Sequence, residues 1–451
     1  MAKLEDIVSL CKRRGFIYRG SEVYGGLAGT WDYGPLGVRL KWNIMDLWWK
    51  TFVDDRDDIY GVEAAILMNP KVWQASGHVD TFTDPLVECS NCKGRFRADK
   101  IDISKCTTCG KAGTFGEPRQ FNMMFKTHIG PVGRLGFNDE NVKESITGTK
   151  RGDLLDGNLV YLRPETAQGI FTNYKNVVDS FSPDIPFGIG QMGKAFRNEI
   201  SPRDFVFRSR EFEQMEVEYF VHKDNWQAEF EKWVVDIDAF LKNLGLPDSK
   251  IKKVEVPEAD RAHYSQRTID YEFEFPHGND ELLGLAYRSD FDLGNIARAS
   301  GKNMEYRPKD SSASFVPHVI EPSFGVERAI MAVLTGAYTE DEVNGEKRIF
   351  LKLPHHLAPV RVAVSPLLKN KPQLGAKARE VYKMLKTEID NVMYDDNGNI
   401  GKRYRRQDEI GTPYCVVIDF DSLENNDVTI RHRDTTKQQR IKIDELIPEL
   451  K

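Results

Sequence analysis

Apolar residues recur at helical spacing near the start of the chain, where Leu4, Ile7, Val8, Leu10 and Cys11 share one side of a helix over 4–14. A Gly-rich stretch from Gly20 to Gly37 follows, ending in Tyr33-Gly34-Pro35-Leu36-Gly37. Next, about Val38 to Phe52, comes a predicted helix with two apolar stripes. Val38, Trp42, Met45, Trp49 and Phe52 form one; Leu40, Ile44, Leu47 and Trp48 form the other. A helix so apolar around its circumference is rarely left in water. It is expected either wholly in a core or divided between a core and a subunit interface. Residues 225–243 predict another helix, burying Trp226, Phe230, Trp233, Val234, Ile237 and Leu241. Strands and helices alternate from about 160 to 335. Residues 85–120 read as an insertion, 134–157 as a polar, Gly-rich excursion, and 353–359 as a linker. Beyond it lies a compact unit with a strand over 361–365, a helix near 375–389, a turn at Asp395-Asp396-Asn397-Gly398, and strands near 413–420, 427–432 and 439–443.

Alternation within the strands brings out candidate chemistry. In Ala195-Phe196-Arg197-Asn198-Glu199, a strand puts Arg197 and Glu199 on one face and Phe196 on the other. Pro202 then breaks the pairing. A second strand, Arg208 to Phe220, offers Met215, Val217 and Tyr219 to a core. Its other face carries Arg208, Arg210, Phe212, Gln214, Glu216 and Glu218. That face is either a solvated surface with cross-strand ion pairs or a site. A third segment, Val319 to Arg328, runs from strand into helix. Glu321 and Ser323 share a strand face, and Gly325 suits a close turn. Arg328 falls in the first helical turn. A cation there opposes the helix dipole, which suits a residue facing an anion.

Composition narrows the class. The chain has 451 residues, 40% hydrophobic and 29% charged, with a net charge of −6. This is an ordinary globular composition and argues against wholesale coating of nucleic acid. No apolar run approaches the ~18 residues of a membrane helix. The opening Met-Ala-Lys-Leu-Glu-Asp lacks an apolar signal core, so the expected compartment is the cytoplasm, with no membrane partner. Four of the six cysteines form two pairs, Cys89-x-x-Cys92 and Cys106-x-x-Cys109, separated by thirteen residues. This spacing suits a tetrahedral Cys₄ zinc site. The role expected is structural, because four thiolates leave no open position.

The three segments, taken in order, resemble the class II aminoacyl-tRNA synthetases. Tyr33 to Phe52, with Pro35, is similar to their first motif, a dimer-interface helix. Phe196 to Glu199, with Arg208 and Phe212, is similar to the second, and Gly325-Val326-Glu327-Arg328 to the third. Within the class the chain resembles the dimeric glycyl-tRNA synthetases. Their strings stand here as Trp31-Asp32-Tyr33-Gly34-Pro35-Leu36-Gly37, Arg163-Pro164-Glu165-Thr166-Ala167-Gln168-Gly169, Arg210-Glu211-Phe212-Glu213-Gln214-Met215-Glu216 and Glu321-Pro322-Ser323-Phe324-Gly325.

The fold this implies is α+β. It has a class II antiparallel sheet flanked by helices over 1–353, a zinc-ribbon-like insertion at 85–120, and a C-terminal α/β anticodon-binding domain over 354–451. The activity implied is ATP-dependent attachment of glycine to tRNA(Gly) through a glycyl-adenylate, by a homodimer using Mg²⁺ and Zn²⁺. The resemblance assigns ATP to Arg197, Asn198, Glu199, Phe207, Arg208, Phe212, Glu281, Leu282, Gly325 and Arg328, with Arg197 and Arg328 catalytic. Glycine is assigned to Arg97, Glu165, Phe212, Gln214, Glu216, Arg288, Glu321 and Ser323. Lys402-Arg403-Tyr404-Arg405-Arg406 reads either as an RNA contact or as a solvated basic loop. Alternatives are a synthetase for serine, threonine or proline, a relative without catalysis, and a zinc-ribbon nucleic-acid binder. The last leaves the acid-rich sheet face unexplained.

Overall fold

Alternating apolar and polar residues build a seven-stranded sheet at the centre of the computed structural model, which describes residues 2–130, 158–262, 264–309, 313–343 and 345–450. The 134–157 excursion lies outside the described residues. The strands are β1 (Ile59–Gly61), β2 (Phe187–Phe196), β3 (Glu211–Val221), β4 (Ile251–Glu255), β5 (Arg267–Phe275), β6 (Gly278–Ser289) and β7 (His318–Gly325). Their order is β4-β5-β6-β7-β3-β2-β1, antiparallel except for the short parallel edge strand β1.

One sheet face is closed by helices. These include α1 (Leu4–Arg14), α2 (Pro35–Trp49), α4 (Trp226–Asn243) and α6 (Val326–Ala337), while α3 (Ala167–Phe181) and α5 (Phe291–Ser300) cover part of the other face. Met215, Val217 and Tyr219 of β3 point into the first core, as their alternation predicts, with Trp48, Phe52, Trp233, Phe240 and Phe324 around them. In α2, Leu40, Ile44 and Trp48 of one stripe are buried; of the other stripe Met45 is buried as well, while Val38 and Trp42 stay exposed. Gly37 makes this seating possible: a Cβ there would lie 1.8 Å from the Phe16 carbonyl oxygen.

The strand boundaries correct one expectation. β2 ends at Phe196, so Arg197 and Glu199 lie beyond it. The Glu199 N–H donates to the Arg197 carbonyl at 2.7 Å, a tight turn in place of strand alternation. Arg208 likewise precedes β3, following a single helical turn at Phe205–Phe207.

A second core belongs to the C-terminal unit. It comprises β8 (Val362–Pro366), α7 (Pro372–Lys386), β9 (Val392–Tyr394), α8 (Ile400–Glu409), β10 (Tyr414–Ile418), β11 (Asp427–His432) and β12 (Gln438–Lys442). The sheet order is β9-β8-β10-β11-β12. The expected linker is instead packed: Leu353, Leu357 and Ala358 are buried, and the Asn43 amide of α2 donates to the Leu357 and Ala358 carbonyls at 3.1 and 3.2 Å.

The Lys402–Arg406 stretch lies in α8, not in a loop. Arg403 is buried and donates to the carbonyls of Pro366, Asp396 and Gly398. Arg405 pairs with Glu346, and Arg406 with Asp395. In the same helix, Asp408 accepts from Arg431 at 2.8 and 2.9 Å and, at 3.2 Å, from Arg348 of the strand Glu346–Leu351, which pairs with Tyr338–Val343. These three buried side chains join the C-terminal unit to the body of the chain. Breaking such a buried set by removing one partner typically costs ~3–5 kcal/mol, so cutting the chain near Leu353 would disturb the body as well as remove the second unit.

Candidate active site

The charged face of β3 is not solvated. Gln214, Glu216 and Glu218 are all buried, and Gln214 and Glu216 join β5, β6 and β7 in flooring a cavity of about 450 Å³. Its wall contains Arg97, Glu165, Arg197, Glu199, Phe207, Arg208, Phe212, Gln214, Glu216, Glu281, Leu282, Glu321, Ser323, Gly325 and Arg328. Segments more than two hundred residues apart in sequence thus converge on one space. Two expected residues, Asn198 and Arg288, do not reach the wall.

The cations are placed by neighbours. Arg197 lies 5.1 Å from the Phe212 ring, and its Nε donates to the Pro164 carbonyl at 3.1 Å. Arg328 lies 4.8 Å from the Phe207 ring; its Nη1 reaches the Glu281 carboxylate at 3.1 Å and the Glu281 carbonyl at 2.9 Å. Arg208 approaches Glu199 at 3.4 Å. Arg97 arrives from the cysteine insertion, held by Asp84 at 2.8 Å and by Asp99. Gly325 has φ −86, so the chain does not need glycine there for its backbone angle, and a Cβ would meet the Arg328 side chain at an ordinary contact distance of 3.5 Å.

The acids gather at the other end. Glu216 accepts from Thr166, from Ser323 at 2.6 Å and from Gln214 at 2.9 Å. Glu321 meets Arg288 at 2.9 Å, and Arg288 also grips Asp292 with two nitrogens at 2.8 and 2.9 Å. Arg288 is almost fully buried, and its guanidinium lies 3.8 Å from the Tyr264 ring centre. It therefore holds Glu321 in place from outside the cavity lining. Glu165 lies 3.3 Å from His78. One oxygen of Glu165 and the side-chain oxygen of Gln214 are buried without a hydrogen-bond partner among the described residues.

These placements set protonation. Burial works to raise the Glu165 carboxyl, but His78, Arg288 and Arg197 prevail and hold it down at about 2. Burial, reinforced by the Glu165 charge, raises Glu216. Burial also pushes Glu321 up to about 8, with Glu216 and Glu165 opposing the pull of Arg288. At the far end, burial and Glu281 raise Asp270 to about 6.

Sequence patterning missed His78, Thr166, Tyr264 and Asp270. Asp270 had a usable signal: its register partner on β6 is Gly284, a bare position beside Glu281. A Cβ at Gly284 would lie 3.9 Å from both the Asp270 and Glu281 carboxylates, so both reach one point on the cavity floor.

The four cysteines also converge. All four Sγ atoms lie within 4.8 Å of one another, and Cys89–Cys109 and Cys92–Cys106 are each 3.7 Å apart. Tetrahedral Zn–S bonds of about 2.3 Å imply sulfur spacings of about 3.8 Å, so the cluster has the dimensions to hold such a metal. Each Cys-x-x-Cys turn closes through a residue of positive φ, Lys93 (60°) and Gly110 (71°), whose N–H donates to the carbonyl of the first cysteine at 2.9 Å.

With this geometry established, resemblance to known proteins is decisive. Residues 154–336 match the model of the tRNA synthetase class II core domain (G, H, P, S and T), and residues 361–451 match the anticodon binding domain. The glycine–tRNA ligase of Borrelia hermsii is 46% identical over 99% of this chain and 96% of its own length. The chain belongs to the glycine–tRNA ligase family. The Streptomyces coelicolor member of this family is 45% identical over 98% of this chain and 97% of its own length. Among solved structures, Giardia lamblia prolyl-tRNA synthetase in complex with prolyl-adenylate aligns with a TM-score of 0.67 at 16% identity, over 98% of this chain and 76% of its own. That likeness establishes the shared class II fold. Among the described residues, no helix is long and apolar enough to cross a membrane.

Proposed function

We propose that this chain activates glycine with ATP and transfers it to the 3′ end of tRNA(Gly). The observation that carries the reading is one cavity with phosphate-binding chemistry at one end and ammonium-binding chemistry at the other. Arg197 and Arg328 supply charged, planar donors suited to phosphate. Glu165, Glu216 and Glu321 form a buried acid cluster, and the partnerless oxygens of Glu165 and Gln214 await a donor.

In the first step the glycine carboxylate attacks the α-phosphorus. A carboxylate–phosphorus bond forms and the bond to the β-phosphate oxygen breaks, releasing pyrophosphate. The nucleophile is already ionised, so the protein's contribution is positioning and charge neutralisation. Arg197 neutralises the α-phosphate and Arg328 the outer phosphates, with Arg208 beside them. Phe212 stacks on adenine, and Glu199 accepts from its amino group. In the second step the terminal ribose 3′-hydroxyl attacks the glycyl carbonyl and AMP leaves. Asp270 and Glu281 fit a Mg²⁺ site, since that ion commonly takes one or two carboxylates plus substrate phosphates; when bound, it would supply further charge neutralisation.

The C-terminal unit, which we bound at 354–451, reads the anticodon; within 402–406, exposed Lys402 is the residue best placed to meet RNA. The groove beside exposed Trp42, lined also by Met45, Trp49 and Ile66, takes a second copy of this chain. The protein works in the cytoplasm. Incubation with tRNA(Gly), ATP and labelled glycine tests the reading: label should attach to the tRNA 3′ end, and failure to charge any tRNA with glycine would refute it.

The cysteine cluster holds zinc and folds the insertion that delivers Arg97. Purified protein is expected to carry about one zinc per chain. Cys106→Ser should lose the metal and weaken activation through Arg97. Metal-free protein with four freely titrating thiols and full activity would contradict this.

A further inference from the structure

Glu218 has no place in the chemistry described so far, yet it is fully buried, and neither carboxyl oxygen has a hydrogen-bond partner among the described residues. Its position is fixed by register. β3 and β7 pair Glu216 with Ser323 and Tyr219 with Ile320, which sets Glu218 directly opposite Glu321. Directly opposed side chains on an antiparallel pair have Cβ atoms roughly 4.5–5.5 Å apart, and like charges so placed repel. In a buried sheet, two such carboxyls do not both ionise. Glu321 is the one with a cation, Arg288, at 2.9 Å.

The groups facing Glu218 are acids with one exception. Glu321 comes from β7, Glu216 from its own strand, and Asp292 from α5; Arg288 of β6 is the cation among them. Arg288 is already shared between Asp292 and Glu321. Behind them, Gln168 of α3 donates to Asp292 at 2.8 Å, and the Tyr264 ring covers Arg288. Among the described residues that act on Glu218 most strongly, Arg288 is the one cation.

We propose that Glu218 is a positioning residue that keeps its proton when the ammonium of the amino-acid substrate ionises Glu321, and donates it to Glu321, fixing that carboxylate as the acceptor for the ammonium. Burial, with the Glu321 charge next in weight, raises Glu218 well above the carboxylate range and acts in the same direction. The role rests on the glycine-activation reading. Arg288 then holds one side of Glu321 and the Glu218 hydroxyl the other. The neutral partner spares the site a further negative charge, while Glu321 stays aimed at the cavity.

Two variants and one spectrum test it. Glu218→Gln keeps the shape, stays neutral and can donate an N–H, so the glycine KM should stay within about threefold of wild type. Glu218→Ala should raise the glycine KM at least tenfold while leaving the ATP KM in place. Infrared difference spectra of the full chain, wild type minus Glu218→Gln, should contain a protonated-carboxyl stretch that shifts in D₂O. The proposal is overturned if the Gln variant loses glycine as severely as the Ala variant, if neither variant changes the glycine KM, or if the carboxyl band is absent. Wild-type protein that does not activate glycine would instead overturn the functional reading, and the infrared result stands apart from it.

Discussion

Arg328→Ala or Arg197→Ala is expected to lower glycine-dependent ATP–pyrophosphate exchange by about 10²–10³-fold or more, the usual cost of removing one preorganised donor from a developing charge. Each guanidinium is oriented by an aromatic ring and a backbone carbonyl, so it binds phosphate without reorganising. Neither side chain belongs to the apolar core, so folding should survive, as circular dichroism would check. Lysine should restore little, because it presents a point charge in place of a planar fork. Loss should appear in kcat as well as in the ATP KM. Near-normal exchange in both alanine variants would remove the ATP assignment.

The second large effect concerns the acid cluster. Glu321→Gln removes the carboxylate that Arg288 holds and leaves that buried cation with Asp292 alone. A hydrogen bond to a charged group is worth about 1.5–3 kcal/mol. The glycine KM should therefore rise about tenfold to a hundredfold, with ATP affinity largely kept. The sign of the pH dependence follows from burial of Glu321, whose pKa of about 8 lies far above the ordinary carboxylate range. The folded, empty site holds its proton more tightly than the unfolded chain does. This contribution to stability is therefore full at low pH and is lost as pH rises toward 8. An ammonium ion favours the ionised form, so glycine binding below that pH releases a proton. Glycine should accordingly raise the melting temperature more at pH 8 than at pH 6. An equal shift at both, or a larger one at pH 6, would contradict the role given to Glu321.

Much of this site was legible as residue types at fixed spacing. The three motif segments carry their chemistry locally, and alternation correctly separated Met215, Val217 and Tyr219 from Gln214 and Glu216. What escaped depends on contacts between distant segments. Arg288 has a sequence context that suits a ligand-facing residue; its burial comes from Tyr264 and Asp292 closing over it. Arg403 sits in a run of cations that reads as solvated, yet the carbonyls of the 396–398 turn and Pro366 draw its guanidinium inside. Alternation also failed where the chain left the sheet at Phe196, because the 197–199 turn is fixed by pairing with Arg210 and Met123, partners that no local pattern encodes. Conversely, Arg97 had no support from patterning, and it reaches the cavity because the ribbon strand pairs beside Asp84.

Substrate choice is the central claim. Glycine has no side chain, so the site must attract through the ammonium and exclude by its walls. Merely tolerating an extra methyl would discriminate by only about 1–3 kcal/mol. Here Thr166, Gln214 and Ser323 each donate to Glu216, and a wall held by these bonds should yield to a methyl group only by breaking them. The most direct measurement is ATP–pyrophosphate exchange by the full chain with a panel of amino acids. Strong exchange with glycine, little with alanine and essentially none with serine, threonine or proline is the predicted result; robust exchange with one of the others and none with glycine would contradict it.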